Sequence, residues 1–395
     1  MELDPAYRVA FLDWLACASG GRNEPAAAAA RAADGSLLGR VVALGAAGHV
    51  LDFDDTYAPG LAHCTAPVAP AVLVVGAELG RSIDDVLSAY GRGFEATAAL
   101  ARGSHPELYR RGWHPTAVCG VVGAAVGSAA ILGLDDERTR AAVTLSLLQA
   151  AGLRSAFGSG GKPLQVGMAA ASGARAALLA REGASAPAEV RAGFEVAYGA
   201  TWAVPDPERP AIHENWIKAY PCCLQTHSAI EAADMARLRY SQKSGAKEEL
   251  RVFVHAVSLQ AAPYGVPADS LQAKFSIPYT TAFSFLHGPP TVGDFRSLDP
   301  EALELSGHIE VLPDLDVGES GATFDMQKWD PITASAALGS PARPMDEQAL
   351  HAKVRALAGV SLEGALHPGT PASEVLGLLG HSGQARSQAA PNRSQ

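Results

Sequence analysis

From position 6 to about 240, apolar residues recur at helical spacing in long Ala-rich stretches, and β-branched alternation is rare. The pattern predicts helices over 84–101, 116–132, 137–151, 164–181 and 228–240. Gly133 follows the second as a natural helix stop, and Asp135 and Asp136 then open the third. The character changes near Lys247. Residues 250–259 (LRVFVHAVSL) alternate apolar and polar positions, the period of a half-buried strand, and 308–312 (HIEVL) and 321–326 (GATFDM) read as further short strands. The apolar run 280–286 between them is helix-compatible, and 347–358 returns to helix. The predicted fold class is therefore mainly α. A large all-α domain over 1–244 is completed by about 346–380, a smaller α+β domain occupies 245–345, and a polar tail over 381–395 is expected to be disordered. No internal repeat of fixed period is present.

Composition sharpens this picture at three points. Residues 117–134 (AVCGVVGAAVGSAAILGL) are uncharged over the length of a membrane span. They are Gly/Ala-dominated and only weakly hydrophobic, which fits a helix buried on all sides by close neighbours, so no membrane association is expected. The N-terminus, MELDPAYRVAFLDW, has no basic segment and is not expected to be a secretory signal. The formal net charge is −10, a poor match to a nucleic-acid groove. A few local cations can still dominate one pocket, so an anionic substrate remains open. The five cysteines include no C-x-x-C pair and are too scattered for a cluster, so they read as free thiols of a reducing, cytoplasmic setting.

Chemistry-bearing residues concentrate in five segments. The first is His49 to Tyr57, with Asp52, Asp54, Asp55 and Thr56, followed by His63. Three carboxylates within four residues suit a metal, the orientation of cations, or helix capping. The spacing matches neither an EF-hand loop nor HExxH, so no metal is expected. The second is Arg110 to Thr116, where His114 precedes Pro115 at a helix entrance; there the dipole favours anions and a neutral imidazole. The same histidine could serve as a cap or core residue. The third, Phe157 to Pro163, resembles a phosphate loop but has Ala156 and Pro163 where Gly and Ser/Thr are required. What remains is a Gly-flanked Lys162 able to meet a carboxylate, or an ordinary surface lysine. The fourth, Lys218 to His227, places vicinal cysteines and His227 before a helix. The fifth, Lys274 to Tyr279, offers a tyrosine that either faces a cleft or is core.

Together these blocks resemble the MmgE/PrpD family. They read DFDDT (52–56), GWHPTAV (112–118), SGGKPLQVGMAA (159–170), KAYPCCLQTH (218–227) and AKFSIPY (273–279), in the family's order, with 340–359 similar to its closing segment. The resemblance implies a helical domain with a smaller α+β lid, an active site between them, a homodimer, and cofactor-free chemistry on a small polycarboxylate. Carried over by position, it implies site residues Asp52, Thr56, His63, His114, Lys162, His227 and Tyr279. Arg154 and Gln165 are expected to add substrate contacts beside Thr56 and His63. Three departures stand out: the family's KPLHAG histidine is Gln165, the loop from Thr56 to His63 is about one residue longer, and AFLDWLACASGG matches what is usually a second helix, so the first is expected to be missing.

The family's dehydratase, decarboxylase and epimerase reactions each develop negative charge on a carbon beside a carboxylate. The expected roles follow from that demand. Lys162, aided by His227, binds the substrate carboxylate; His114 acts as general acid or base; Asp52 orients a cation; Thr56 hydrogen-bonds substrate; Tyr279 donates a proton. A lyase acting on a di- or tricarboxylate is expected, with an isomerase of an amino- or iminodicarboxylate working by two bases, or a binding homologue without turnover, as alternatives.

Overall fold

Glycine and alanine decide how closely the helices of this chain approach. In the computed structural model, which describes residues 3–203, 206, 208–240, 249–359 and 362–380, the central helix is Pro115–Leu132. It starts on Pro115, whose missing N–H costs nothing at the first helical position, and ends at Gly133 with φ 71°, a left-handed cap that suits glycine. A Cβ on Gly123 would lie 1.8 Å from Thr97 Oγ1 and 2.5 Å from the Gly93 carbonyl, so Ile83–Ser104 packs backbone to backbone against it. On the other side lies Gly161–Arg181, where a Cβ on Gly167 would sit 2.3 Å from the Val42 carbonyl of helix Leu37–His49. Neighbours bury 83% of the central helix. Its apolar composition serves helix packing.

Around this centre lie Thr65–Glu78, Asp136–Leu147 and Pro5–Gly21. Capping residues start several of these helices: Ser82 and Asp85 form a reciprocal capping box, and Asp135 accepts from the Arg138 N–H. Two C-terminal helices return to the same body. Glu347–Ala358 packs on Pro5–Gly21, and Ala372–Leu378 on Thr65–Glu78.

A second hydrophobic core forms around a four-stranded sheet in the order Ile309–Pro313, Leu250–Val254, Ala322–Asp325, Ile332–Ala334. The first pair is parallel, with Leu250 opposite Ile309, and the others are antiparallel, with Val252 opposite Phe324. Helices His227–Tyr240 and Ile277–His287 pack on each other beside this sheet. The chain is thus mainly helical with a smaller α+β part.

Local differences from the sequence reading have identifiable causes. The strand expected over 250–259 stops at Val254, because the His255 ring accepts from the Val257 N–H and starts a short helix, Ala256–Ala261. The helix expected over 137–151 ends at Leu147, since 152–154 pairs with 112–114. Strand Ile332–Ala334 and a two-stranded ladder, Thr56–Tyr57 against Asn215–Trp216, were not anticipated. The segment Cys222–Tyr240, expected with the helical body, contributes Cys222, Cys223, Ile230, Tyr240 and its buried alanines to the sheet's core instead. The expected division at 244/245 and the polar tail over 381–395 lie outside the described residues.

Candidate active site

Asp52 follows helix Leu37–His49 in a left-handed backbone conformation, φ 53°. Few non-glycine residues tolerate that region, aspartate among them, and such strain collects at functional sites. Here the strain is held by lysines. Lys274 Nζ donates to the Leu51 carbonyl at 2.6 Å, Lys218 Nζ to the Asp52 carbonyl at 2.8 Å, and Lys353 Nζ to the Phe53 carbonyl at 2.7 Å. Three consecutive carbonyls thus each take an ammonium from a different part of the chain. Lys353 also pairs with the fully buried Asp13 at 2.6 Å and donates to the Lys218 carbonyl, locking the cradle together.

The Asp52 carboxylate faces a fourth lysine. Lys162 Nζ lies 2.5 Å from Oδ1, Lys218 Nζ 3.2 Å, and His63 Nε2 3.8 Å. Burial opposes ionisation of Asp52, but the two ammoniums overcome it and hold its pKa well below the usual carboxylate range. Its Oδ2 has no partner. Lys162 sits between two aromatic faces, Phe157 at 5.5 Å and Phe275 at 5.2 Å, one from each part of the fold.

Asp54 accepts from both His49 Nδ1, at 2.8 Å, and His63 Nδ1, at 3.0 Å. Burial disfavours the imidazolium more than these carboxylates favour it, so His49 is lowered and His63 falls to about 4. His49, Asp54 and His63 are the one grouping among the described residues whose donor atoms could close on a metal ion. The charges around them are unfavourable for one. The ammonium groups of Lys162, Lys218, Lys274 and Lys353 already crowd this region, and burial raises Asp55 to about 8 and leaves it protonated at neutral pH, so a further cation is disfavoured.

A cleft of about 470 Å³, mouth included, opens onto this cluster between the two cores. Asp52, Thr56, His63, His114 and Lys162 line it, with Lys218 and Gln225. Five of the expected residues therefore meet in one place. The His114 ring packs edge-on to Phe157 at 4.9 Å, and burial, then Lys162, lowers its pKa well below 6.5. Thr116, two residues on, accepts from the His63 N–H at 3.1 Å and ties the second segment to the first.

Four expectations change. His227 does not line the cleft. It is wholly buried, its Nε2 faces the Cys222 carbonyl at 3.3 Å, and burial pushes it down to about 3. It backs Lys218, whose ammonium donates to that same carbonyl, and so cannot help Lys162 hold a substrate carboxylate directly. Tyr279 is core: its hydroxyl accepts from the Asp299 N–H at 2.9 Å within the sheet part of the fold. Gln165 spends its amide on Leu153 and His114. Arg154 stacks its guanidinium 4.7 Å from the centre of the Tyr109 ring, at the border of the cleft.

Sequence reasoning missed the roles of Lys218, Lys274, Lys353 and Asp13. One signal was present. Lysine is scarce here, seven of the 31 basic residues, and four of the seven converge on residues 51–54.

The fold and the cationic cleft define a mainly helical enzyme-like scaffold, and the family models specify it. The MmgE/PrpD N-terminal domain matches residues 36–208 and the MmgE/PrpD C-terminal domain residues 220–366, so the chain belongs to the MmgE/PrpD family. It is 27% identical over 289 residues to the cis-aconitate decarboxylase of Homo sapiens, covering 68% of this chain and 60% of that protein. It is 27% identical over 273 residues to the Mus musculus protein of the same name, and 26% over 293 residues to that of Aspergillus terreus. Matches span between 55% and 60% of the length of these relatives.

Proposed function

We propose that this chain is a lyase that acts on a di- or tricarboxylate through a carbanion beside a carboxylate, with decarboxylation the favoured reaction. The observation that carries this reading is Lys162, an ammonium at the wall of the cleft, flanked by two aromatic rings and backed by Lys218. An arriving carboxylate takes the place of Asp52 Oδ1 as partner of Lys162. In decarboxylation the C–C bond breaks, carbon dioxide leaves, and the electron pair stays on carbon, delocalised toward the neighbouring carboxylate. Fixed cations stabilise that charge better than water does, because they need no reorganisation as it forms. A proton then adds to carbon. In dehydration a C–H proton is lost instead, and the hydroxyl leaves as water. Similarity to cis-aconitate decarboxylases supports lyase chemistry. The ammonium groups crowded there disfavour a bound metal cation, which fits a reaction that draws its positive charge from lysines.

Turnover of cis-aconitate, citrate and 2-methylcitrate, followed by proton NMR in deuterated buffer, tests the reading. Loss of carbon dioxide or water is expected from at least one, undiminished by a chelator. Lys162→Met is expected to cost roughly 10²–10³-fold in kcat, the scale of one lost electrostatic contact. Deuterium entering the stereocentre of a recovered amino- or iminodicarboxylate added to the panel, with no eliminated product, would identify an epimerase.

A further inference from the structure

We infer that Gln165 is a positioning residue that fixes the protonation pattern of His114, making this histidine a neutral hydrogen-bond donor to the substrate through Nε2–H and not a general base. Amide orientation is settled by the backbone. The Leu153 N–H can only donate, and it does so to Gln165 Oε1 at 2.9 Å, so the amino group must occupy the other position. There Nε2 of Gln165 donates to the Leu153 carbonyl at 3.2 Å and to His114 Nδ1 at 2.7 Å. A ring nitrogen that accepts carries no proton. The remaining proton of a neutral imidazole then sits on His114 Nε2, the nitrogen left for the cleft that His114 lines.

The support beneath this contact is rigid. His114 N donates to the Gly152 carbonyl at 3.0 Å and Arg154 N to the Gly112 carbonyl at 2.9 Å, so the segment that carries Leu153 is pinned to the one that carries His114. Gly152, at φ 133°, lets them approach: a Cβ there would lie 2.7 Å from that of Ala117. The other groups facing the ring act in the same sense. Lys162, His49 and His63 disfavour a second proton, Phe157 covers one edge, and Asp52 alone favours it. An imidazolium at 114 would turn an Nδ1–H against the Gln165 amino group.

The consequence rests on the proposed function: Nε2–H meets a substrate oxygen where negative charge builds and keeps its proton, since an imidazolate is too basic to leave behind. The proton pattern itself is measurable on resting enzyme. In 15N–1H correlation spectra of histidine-labelled protein, His114→Asn assigns the signals. The expected result is a protonated, pyrrole-type Nε2 and a bare, pyridine-type Nδ1, unchanged as pH falls from about 8 to 6, below the ordinary histidine pKa. In Gln165→Glu a carboxylate replaces the amino group, and Nδ1 is expected to become protonated at neutral pH; the neutral ring then has a bare Nε2 and only the imidazolium can donate, so kcat is expected to fall as pH rises, with KM little changed. Gln165→Ala, which removes the lock without adding charge, is expected to show a mixture of both tautomers. A protonated Nδ1 in the unmodified enzyme, or spectra of both variants identical to it, would overturn the inference. Inactivity on every polycarboxylate with the expected spectra would overturn only the proposed function.

Discussion

A buried charge is stable here only while its partner is present. Lys353 pairs with Asp13 in a region where neither reaches water, and it caps two carbonyls besides. Lys353→Met strands Asp13 and is expected to cost about 3–5 kcal/mol in denaturant unfolding. Adding Asp13→Asn should recover part of that loss; equal stability of the single variant and the parent would refute the pairing. Asp55 makes the opposite kind of statement. Its carboxyl accepts from Thr65 and Asn215 at 2.6 Å each, yet burial with Asp54 nearby raises it to about 8. Its folded pKa exceeds the unfolded value near 3.9, so its stabilisation is full at low pH and is lost as pH rises to about 8. The depressed histidines 49, 63, 114 and 227 act in the other direction, losing stability as pH falls below about 6.5. Lys274, lowered to about 8, acts only above that. Between about 6.5 and 8 the Asp55 contribution, joined in direction by the raised carboxyl of Asp13, outweighs the histidines. Melting temperature is expected to fall as pH rises across that window, and Asp55→Asn is expected to flatten the fall. A parent slope that survives the substitution undiminished would contradict this.

At the scale of elements, the site depends on how the Gly161–Arg181 helix seats against Leu37–His49. The first carries Lys162 and Gln165 and the second delivers Asp52. Gly167→Ala would push a methyl to 2.3 Å from a backbone oxygen that cannot yield, so an overpacking cost of about 1–3 kcal/mol is expected. Turnover should fall with it, because the helices must part where the site is built; unchanged melting and activity would contradict this. These elements were legible in sequence because long Ala-rich runs, Gly133 and the Asp135 cap carry their signals locally. The short ladder at Thr56–Tyr57 and the strand Ile332–Ala334 were not, since two or three residues have no period of their own, and Thr56–Tyr57 also pairs with a segment far away in the chain. The early end of the 250–259 strand turned on one histidine ring acting as a cap.

Across the whole molecule, segments from positions 49 to 353 close around one carboxylate. Sequence order could reveal the motifs of that site, and five expected residues do share the cleft. It could not reveal depth. His227 and Tyr279 sit in matching blocks, but whether a side chain faces the cleft or the core is set by how the sheet part folds over the helices. Nor could it show that Lys274 and Lys353 turn inward, because a single lysine in an amphipathic stretch reads as solvated until a buried partner such as Asp13 is known. The resulting claim is that a chain of net charge −10 concentrates positive charge at one cleft to receive a polycarboxylate. A crystal structure with a saturated, unreactive tricarboxylate soaked in tests it most directly. The expected result is one carboxylate on Lys162 Nζ, displacing Asp52, with another oxygen at His114 Nε2 and Thr56. A ligand bound elsewhere, with Lys162 still paired to Asp52, would contradict the account.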